Sequence, residues 1–243
     1  GLMLTGKLIS LAEETQQNFL GAIKRLVARS GEPVVRLAVR QAMRIMGHQF
    51  VMGRSIDEAL DRSTEKDGAS YRHSFDMLGE AALCADDAER YAAAYAHAIR
   101  AIGIGDAWRG VHKGNSISIK LSALHPRYQW SQRGRVMHEL LPRLRHLCVL
   151  AKGQDISLTI DAEEADRLEL SLDVLGALVA DPELTDWAGL GFAVQAYQKR
   201  APFVIDWLIA MARRHRRRLM VRLVKGAYWD TEIKRAQQDG LVD

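Results

Sequence analysis

Apolar residues recur three and four positions apart over residues 19–27 and 34–46, the spacing of one buried helical face, and Gly31, Glu32 and Pro33 separate the two runs. A third helix is expected from Ser55, whose hydroxyl can cap the first turn while Glu58 reaches back, with Gly68 and its polar neighbours closing the segment. From Ser74 the pattern changes to short apolar runs alternating with helical stretches, the mark of a parallel sheet wrapped by helices. Strands are predicted near residues 74–78, 116–121, 156–161, 190–195 and 219–224. Helices are predicted near 87–102, 132–152, 165–180, 200–215 and 229–238, the first with Asp86 and Glu89 as a capping pair. The chain thus reads as a helical lead-in over residues 1–70 and a βα region over 71–243.

Each predicted strand has one apolar face, and its opposite face ends in a polar or charged residue. Asp76 follows Ser74, Lys120 follows Ser118, Asp161 follows Ser157 and Thr159, Gln195 follows Ala193, and Arg222 follows Met220. In a parallel barrel the helix-facing side is apolar and function sits where the strands end on the inner face. A ring of Asp76, Lys120, Asp161, Gln195 and Arg222 therefore reads as a polar ligand site; the alternative is a set of buried ion pairs linking barrel layers, to which Lys120 with Asp161 could reduce. On the last strand Leu219, Val221 and Leu223 form the side that a helix should cover, and Arg222 on the other side is costly unless something anionic receives it. Gly226 then allows a sharp turn before Tyr228 and Trp229 open the next helix. From Asp76 to Arg222 is 222 − 76 = 146 residues over four repeats. At about 36 residues per repeat, an eight-unit barrel needs roughly 110 more residues, so the chain is expected to be a piece of a larger protein.

With 243 residues, 48% hydrophobic and 26% charged, the chain has the composition of a soluble globular protein. No apolar run approaches the length of a membrane span, and the first twenty residues lack the zones of a signal peptide, so the expected compartment is the cytoplasm. The net charge of +4 traces largely to Arg213, Arg214, His215, Arg216, Arg217 and Arg218, which join a helix end to a strand start. No aromatic residue interleaves that run, and no nucleic-acid contact through this segment is expected. Cys84 and Cys148 read as buried reduced thiols. No two histidines have the i, i+4 spacing of a helical metal site, so no metal is expected. Gly103 with Gly105, and Gly189 with Gly191, are incomplete dinucleotide fingerprints and read as turns; a phosphate loop and a nucleophile elbow are both missing.

Two chemistries remain open from the residues themselves. Lys120 or Lys225, at strand ends, could be the Schiff-base lysine of a barrel aldolase. Against this, Asp76 or Asp161 would hold Lys120 protonated, which suits it to clamp a substrate carboxylate. Alternatively Arg222 could stabilise an electron-rich reduced flavin and Gln195 could donate to a ring carbonyl, although composition alone does not choose flavin.

The stretches SFDMLGEAAL from Ser74, ISIKLSALHPRY from Ile117, TIDAEEADRLELSLD from Thr159, GFAVQAYQKR from Gly191 and VRLVKGAYWDTEIKRAQ from Val221 resemble a known family. It is the proline dehydrogenase barrel of the bifunctional proline utilization A flavoproteins, and the likeness extends through the helical lead-in. The resemblance implies an α/β fold, a distorted (βα)8 barrel of which about five units are present. It also implies noncovalent FAD at the strand C-termini, with L-proline oxidised to pyrroline-5-carboxylate and electrons passed to a quinone at the inner-membrane surface. Lys120 would contact the proline carboxylate, Asp161 would hold Lys120 and Tyr228, and Tyr228 would wall the substrate pocket. Arg222 would approach flavin N5 and Gln195 the pyrimidine edge, while Asp161, Ala162, Val224, Lys225, Gly226, Ala227 and Trp229 would line the cofactor. Glu80 resembles the family's gate residue. The remaining strands, with the arginines that grip the substrate carboxylate, and the aldehyde dehydrogenase portion are not in this sequence. The piece alone is therefore expected to be inactive, and a non-catalytic interaction role is the second alternative.

Overall fold

The alternation of apolar and polar positions builds five parallel strands: β1 (Ser74–Phe75), β2 (Ser116–Ile119), β3 (Ser157–Ile160), β4 (Leu190–Gln195) and β5 (Met220–Val224). They pair in chain order in one sheet. Ser74 lies beside Ser116, Ser118 beside Thr159, Thr159 beside Gly191, and Ala193 beside Arg222. This register puts the predicted polar face of every strand on one side. Its other side carries Ile117, Ile119, Leu158, Ile160, Leu190, Phe192 and Val194, all buried. The computed structural model describes residues 33, 36–43, 46–47, 50–65, 68–77, 81–105 and 109–241. Two compact units divide the chain, Gly1–Ala59 and Leu60–Asp243. Residues 36–43 of the first are helical, while the predicted helix over 19–27 and the gate candidate Glu80 lie outside the described residues.

The main helices are α1 (Ile56–Thr64), α2 (Ala85–Gly105), α3 (Leu141–Gly153), α4 (Leu168–Ala180), α5 (Ala201–Arg214) and α6 (Trp229–Gln238). α2 packs on β2, α3 on β3 and α5 on β4, so helix follows strand as the pattern requires. Ser55 caps α1 by accepting the Glu58 amide at 3.2 Å, and the Glu58 carboxylate reaches back to the Arg54 amide at 2.9 Å. α2 is capped differently from expectation. Because it begins at Ala85, Asp87 rather than Asp86 is placed to fold back, accepting the Leu83 and Cys84 amides at 2.9 and 3.2 Å. Before α3 the helix widens into a π stretch, Val136–Leu140, one turn ahead of Pro142, whose nitrogen has no hydrogen to donate.

Arg222 on β5 donates to Ser74 Oγ on β1 at 2.6 Å. In a flat sheet those strands would stand four spacings, about 19 Å, apart, which is further than a side chain reaches. The sheet therefore curls into half a barrel with its polar face inside. Three expectations need correction. Val221 and Leu223, expected under a helix, are instead 47% and 60% exposed on β5, the edge strand that pairs only with β4 among the described residues. Gly103 and Gly105 end α2, and Gly191 lies within β4, where a Cβ would meet Thr159 Oγ1 at 2.6 Å. Cys148 is buried but Cys84 is exposed. The basic run does join α5 to β5, and within it Arg217 is structural, donating to the carbonyls of Val179 and Asp181 at 3.3 and 3.4 Å and to that of Leu184.

Candidate active site

At the C-terminal ends of the strands, four of the five predicted ring residues meet. Lys120 directly follows β2 and its Nζ donates to Asp76 Oδ2 at 2.7 Å, with Asp161 Oδ2 at 3.6 Å. Lys120 and Asp161 are each 15% exposed at the side chain. Arg222 Nη1 donates to Asp161 Oδ1 at 3.0 Å and to Ser118 Oγ at 2.9 Å, and Ser118 Oγ lies 3.1 Å from Ser74 Oγ. Two cations and two carboxylates are thus interleaved on the inner face. Burial pushes the Asp161 carboxyl above its ordinary value, and Asp76 pushes it further; Lys120, Arg222 and the Ser118 hydroxyl oppose the shift. Both carboxylates expected for Lys120 are its partners, Asp76 the nearer and Asp161 the further.

Gln195, the fifth ring residue, stands apart. It is 6% exposed, and its Nε2 donates to the Glu163 carbonyl at 2.8 Å. Its Oε1 is buried and has no hydrogen-bond partner among the described residues. A buried amide oxygen in that state is costly, and a ligand N–H would satisfy it. Asp161, Ala162 and Gln195 border a small pocket of about 20 Å³, room for a single water and far too small for a flavin. A ligand of that size must occupy the open inner face.

The β5–α6 turn follows. Gly226 has φ +121°, and a Cβ there would lie 2.2 Å from the Tyr197 ring and 3.0 Å from Gln195 Oε1. Only glycine lets the backbone pass so close. Val224, Lys225, Ala227 and Trp229 flank this turn; Lys225, Ala227 and Trp229 are exposed and Val224 is half-buried. Tyr228 has its phenol pushed up to about 12, by burial first and then by Glu163 and Glu164. It therefore stays a neutral donor across physiological pH.

Other residues of the site were not predicted. Glu163 is buried, accepts the Ser122 amide at 3.0 Å and pairs with Arg167 at 2.7 Å, so it joins the loops after β2 and β3 and meets Gln195 through its carbonyl. The only signal was its place two residues past Asp161. Ser74 and Ser118 entered the sequence pattern as face markers, not as acceptors for Arg222. Among the described residues no group of three His, Cys, Asp or Glu could hold a metal.

Comparison with known proteins bears directly on this geometry. The family described as proline dehydrogenase matches residues 59–243. The chain belongs to the proline dehydrogenase family. A second family, described as the DNA-binding domain of proline dehydrogenase, matches residues 1–50. The chain is 57% identical to the bifunctional protein PutA of Klebsiella aerogenes over 99% of its length, and 28% identical to proline dehydrogenase 1 of Bacillus subtilis over 84%. It spans 18% of the first relative and 59% of the second. A crystal structure of Bradyrhizobium japonicum PutA, 59% identical, matches 89% of this chain and 22% of its own with a TM-score of 0.74. A PutA from Bdellovibrio bacteriovorus inactivated by N-propargylglycine, 27% identical, matches 84% of this chain and 22% of its own with a TM-score of 0.76. The half-barrel is therefore the proline dehydrogenase type of α/β barrel, as the family resemblance implies. The expectation of no nucleic-acid contact gains no support for residues 1–50, since a DNA-binding family matches them.

Proposed function

We propose that the inner face of this half-barrel forms part of the site at which the complete protein oxidises L-proline to pyrroline-5-carboxylate. The observation that carries this reading is the cluster of Lys120, Asp76, Asp161 and Arg222 at the strand ends of a proline dehydrogenase fold. Lys120 offers its ammonium group to the substrate carboxylate. Two carboxylates around its Nζ, at 2.7 and 3.6 Å, make the surroundings of an ammonium ion rather than those of a Schiff-base amine, which disfavours an aldolase. Asp161 holds the Arg222 guanidinium at the centre of the face. Tyr228 walls the pocket as a neutral phenol.

FAD fits the residues present. The unpartnered Gln195 Oε1 can accept an N–H from its pyrimidine edge, the Arg222 cation suits the flank of a ring that gains electrons, and the glycine turn at Gly226 lets backbone approach closely. Asp161, Ala162, Val224, Lys225, Ala227 and Trp229 complete the side of the site this chain supplies. When bound, FAD would supply the acceptor for the hydride that leaves C5 of proline as the C5–N bond becomes double and the nitrogen gives up its proton. A quinone at the membrane surface takes them onward in this reading, with the protein cytoplasmic and peripheral; no helix among the described residues is long and apolar enough to cross a membrane. The remaining barrel and an aldehyde dehydrogenase portion are its partners within the larger protein, and this piece alone does not turn over proline. For residues 1–50 the family match favours contact with DNA.

The test uses the complete protein. It is expected to purify yellow, to bleach on anaerobic addition of L-proline and to release pyrroline-5-carboxylate. A colourless protein with substrate trapped on a lysine by borohydride would refute the proposal in favour of an aldolase.

A further inference from the structure

Outside the ring, one carboxylate draws together three loops that the flavin reading uses. Glu232 lies in the first turns of α6, where its amide bonds to the Tyr228 carbonyl at 3.0 Å. One of its oxygens accepts the Ala165 amide at 2.7 Å, from the loop after β3 that begins with Asp161 and Ala162. Its other oxygen accepts the hydroxyl of Tyr197, from the loop after β4 that begins at Gln195. The Tyr197 ring in turn lies against the backbone of Gly226, whose φ of +121° leaves no room for a Cβ. Backbone bonds complete the join: the Ala196 amide donates to the Val224 carbonyl at 2.8 Å and the Tyr197 amide to that of Lys225 at 3.2 Å.

We infer that Glu232 is a positioning residue for the cofactor, a clamp that fixes the loops after β3, β4 and β5 against one another and sets the Gly226 turn through the Tyr197 ring. The inference rests on the flavin reading above. Both Glu232 oxygens are engaged, by donors 67 and 35 residues away in sequence. Neither bond belongs to the sheet ladder; one meets the amide that opens the 3-10 turn Ala165–Arg167 ahead of α4, so the tie organises the loops and leaves the strands to hold themselves. The other charged contact from α6 to the loop after β3 among the described residues is the exposed Arg235–Asp166 pair at 3.5 Å, which is worth little in water.

Glu232→Ala, Glu232→Gln and Tyr197→Phe in the complete protein test this through the FAD dissociation constant, the visible flavin spectrum and the melting temperature of the flavin-free protein. Glu232→Ala should weaken FAD binding about tenfold or more and alter the flavin band, and Tyr197→Phe should weaken it about threefold to tenfold, as expected for lost bonds to a charged group. Glu232→Gln should stay within about threefold, because its amide oxygen can accept from Ala165 while its NH2 donates to the Tyr197 oxygen. The flavin-free melting temperature should be unchanged in all three. If flavin affinity and spectrum match wild type in Glu232→Ala, the clamp is overturned while the flavin reading stands. Equal losses in Glu232→Gln and Glu232→Ala would overturn it too, as would a fall in melting temperature that accounts for the lost flavin. A wild-type protein that binds no FAD refutes the cofactor reading and the clamp with it. If Glu232→Ala does not fold, Tyr197→Phe decides.

Discussion

Replacing Asp161 tests how the ring is held. At an effective dielectric of about 20, the contacts to Arg222 at 3.0 Å and Lys120 at 3.6 Å are worth roughly 5 kcal/mol each in gross attraction. That sum is not the stabilisation. Burial and Asp76 together raise the Asp161 carboxyl above its ordinary value of 3.8, so what the two cations return does not cover the cost of a second buried carboxylate. Nor does removal strand a cation, for Arg222 keeps the hydroxyls of Ser74 and Ser118 and Lys120 keeps Asp76. We therefore expect Asp161→Ala to cost about 2 kcal/mol, below the 3–5 kcal/mol of a pair whose survivor is left alone. Asp161→Asn, which keeps an acceptor for Arg222 and relieves the repulsion from Asp76, should cost roughly 0.5 kcal/mol. Asp76→Ala with Asp161→Ala takes both carboxylates from Lys120 and should cost more than the two single changes added together. Equilibrium urea unfolding followed by circular dichroism measures all four. If Asn is as damaging as Ala at Asp161, or the double change is simply additive, the description of the ring as a shared charge cluster is wrong.

Gly226→Ala should destabilise the β5–α6 turn by about 1–3 kcal/mol and lower flavin content, because φ +121° and the Tyr197 ring both exclude a Cβ; hydrogen exchange at residues 225–229 no faster than wild type would contradict this. On the opposite end of the barrel, the Arg145 hydrogen bond holds Asp181 below its ordinary 3.8, so its contribution is fully present above that pH and is lost as pH falls through the lower folded value. The stability gap between wild type and Asp181→Asn should accordingly be largest near neutrality and close in acid, and a gap independent of pH would remove the ion pair as its cause.

The sheet was legible because the signal for each strand is local. Alternation at every second residue identified the inner face of all five strands, and in turn the ring, since residues at i and i+2 on a strand share a face whatever the rest of the chain does. α6 was predicted at its observed bounds for the same reason. What the pattern does not carry is choice among distant partners. It offered Asp76 and Asp161 alike to Lys120, and only the curl of the sheet decides that Asp76 is nearer. Nothing in its sequence neighbourhood marks Glu232 as a partner of Ala165 and Tyr197, and a capping carboxylate at 86 or at 87 differs only by where the helix begins. The buried orphan at Gln195 Oε1 was likewise invisible, because an amide on a strand face says nothing of which of its two ends finds a partner.

Arg222 ends up with two duties that the strand pattern alone could not join. Its bonds to Ser74 and Ser118 span the sheet from β5 to β1 and β2, so they help to hold the curl that makes an inner face. Its bond to Asp161 fixes the same guanidinium where a flavin would need a cation. An arginine there is expensive to desolvate, and three acceptors offset that cost only when the sheet is curled. Fold and site therefore depend on one another at this residue, since a flatter sheet would strand the charge and a missing charge would loosen the sheet. Loss of flavin on replacing Arg222 is therefore evidence about the cofactor only if the flavin-free variant melts as the wild type does, because the bonds to Ser74 and Ser118 that span from β5 to β1 and β2 go with the same side chain.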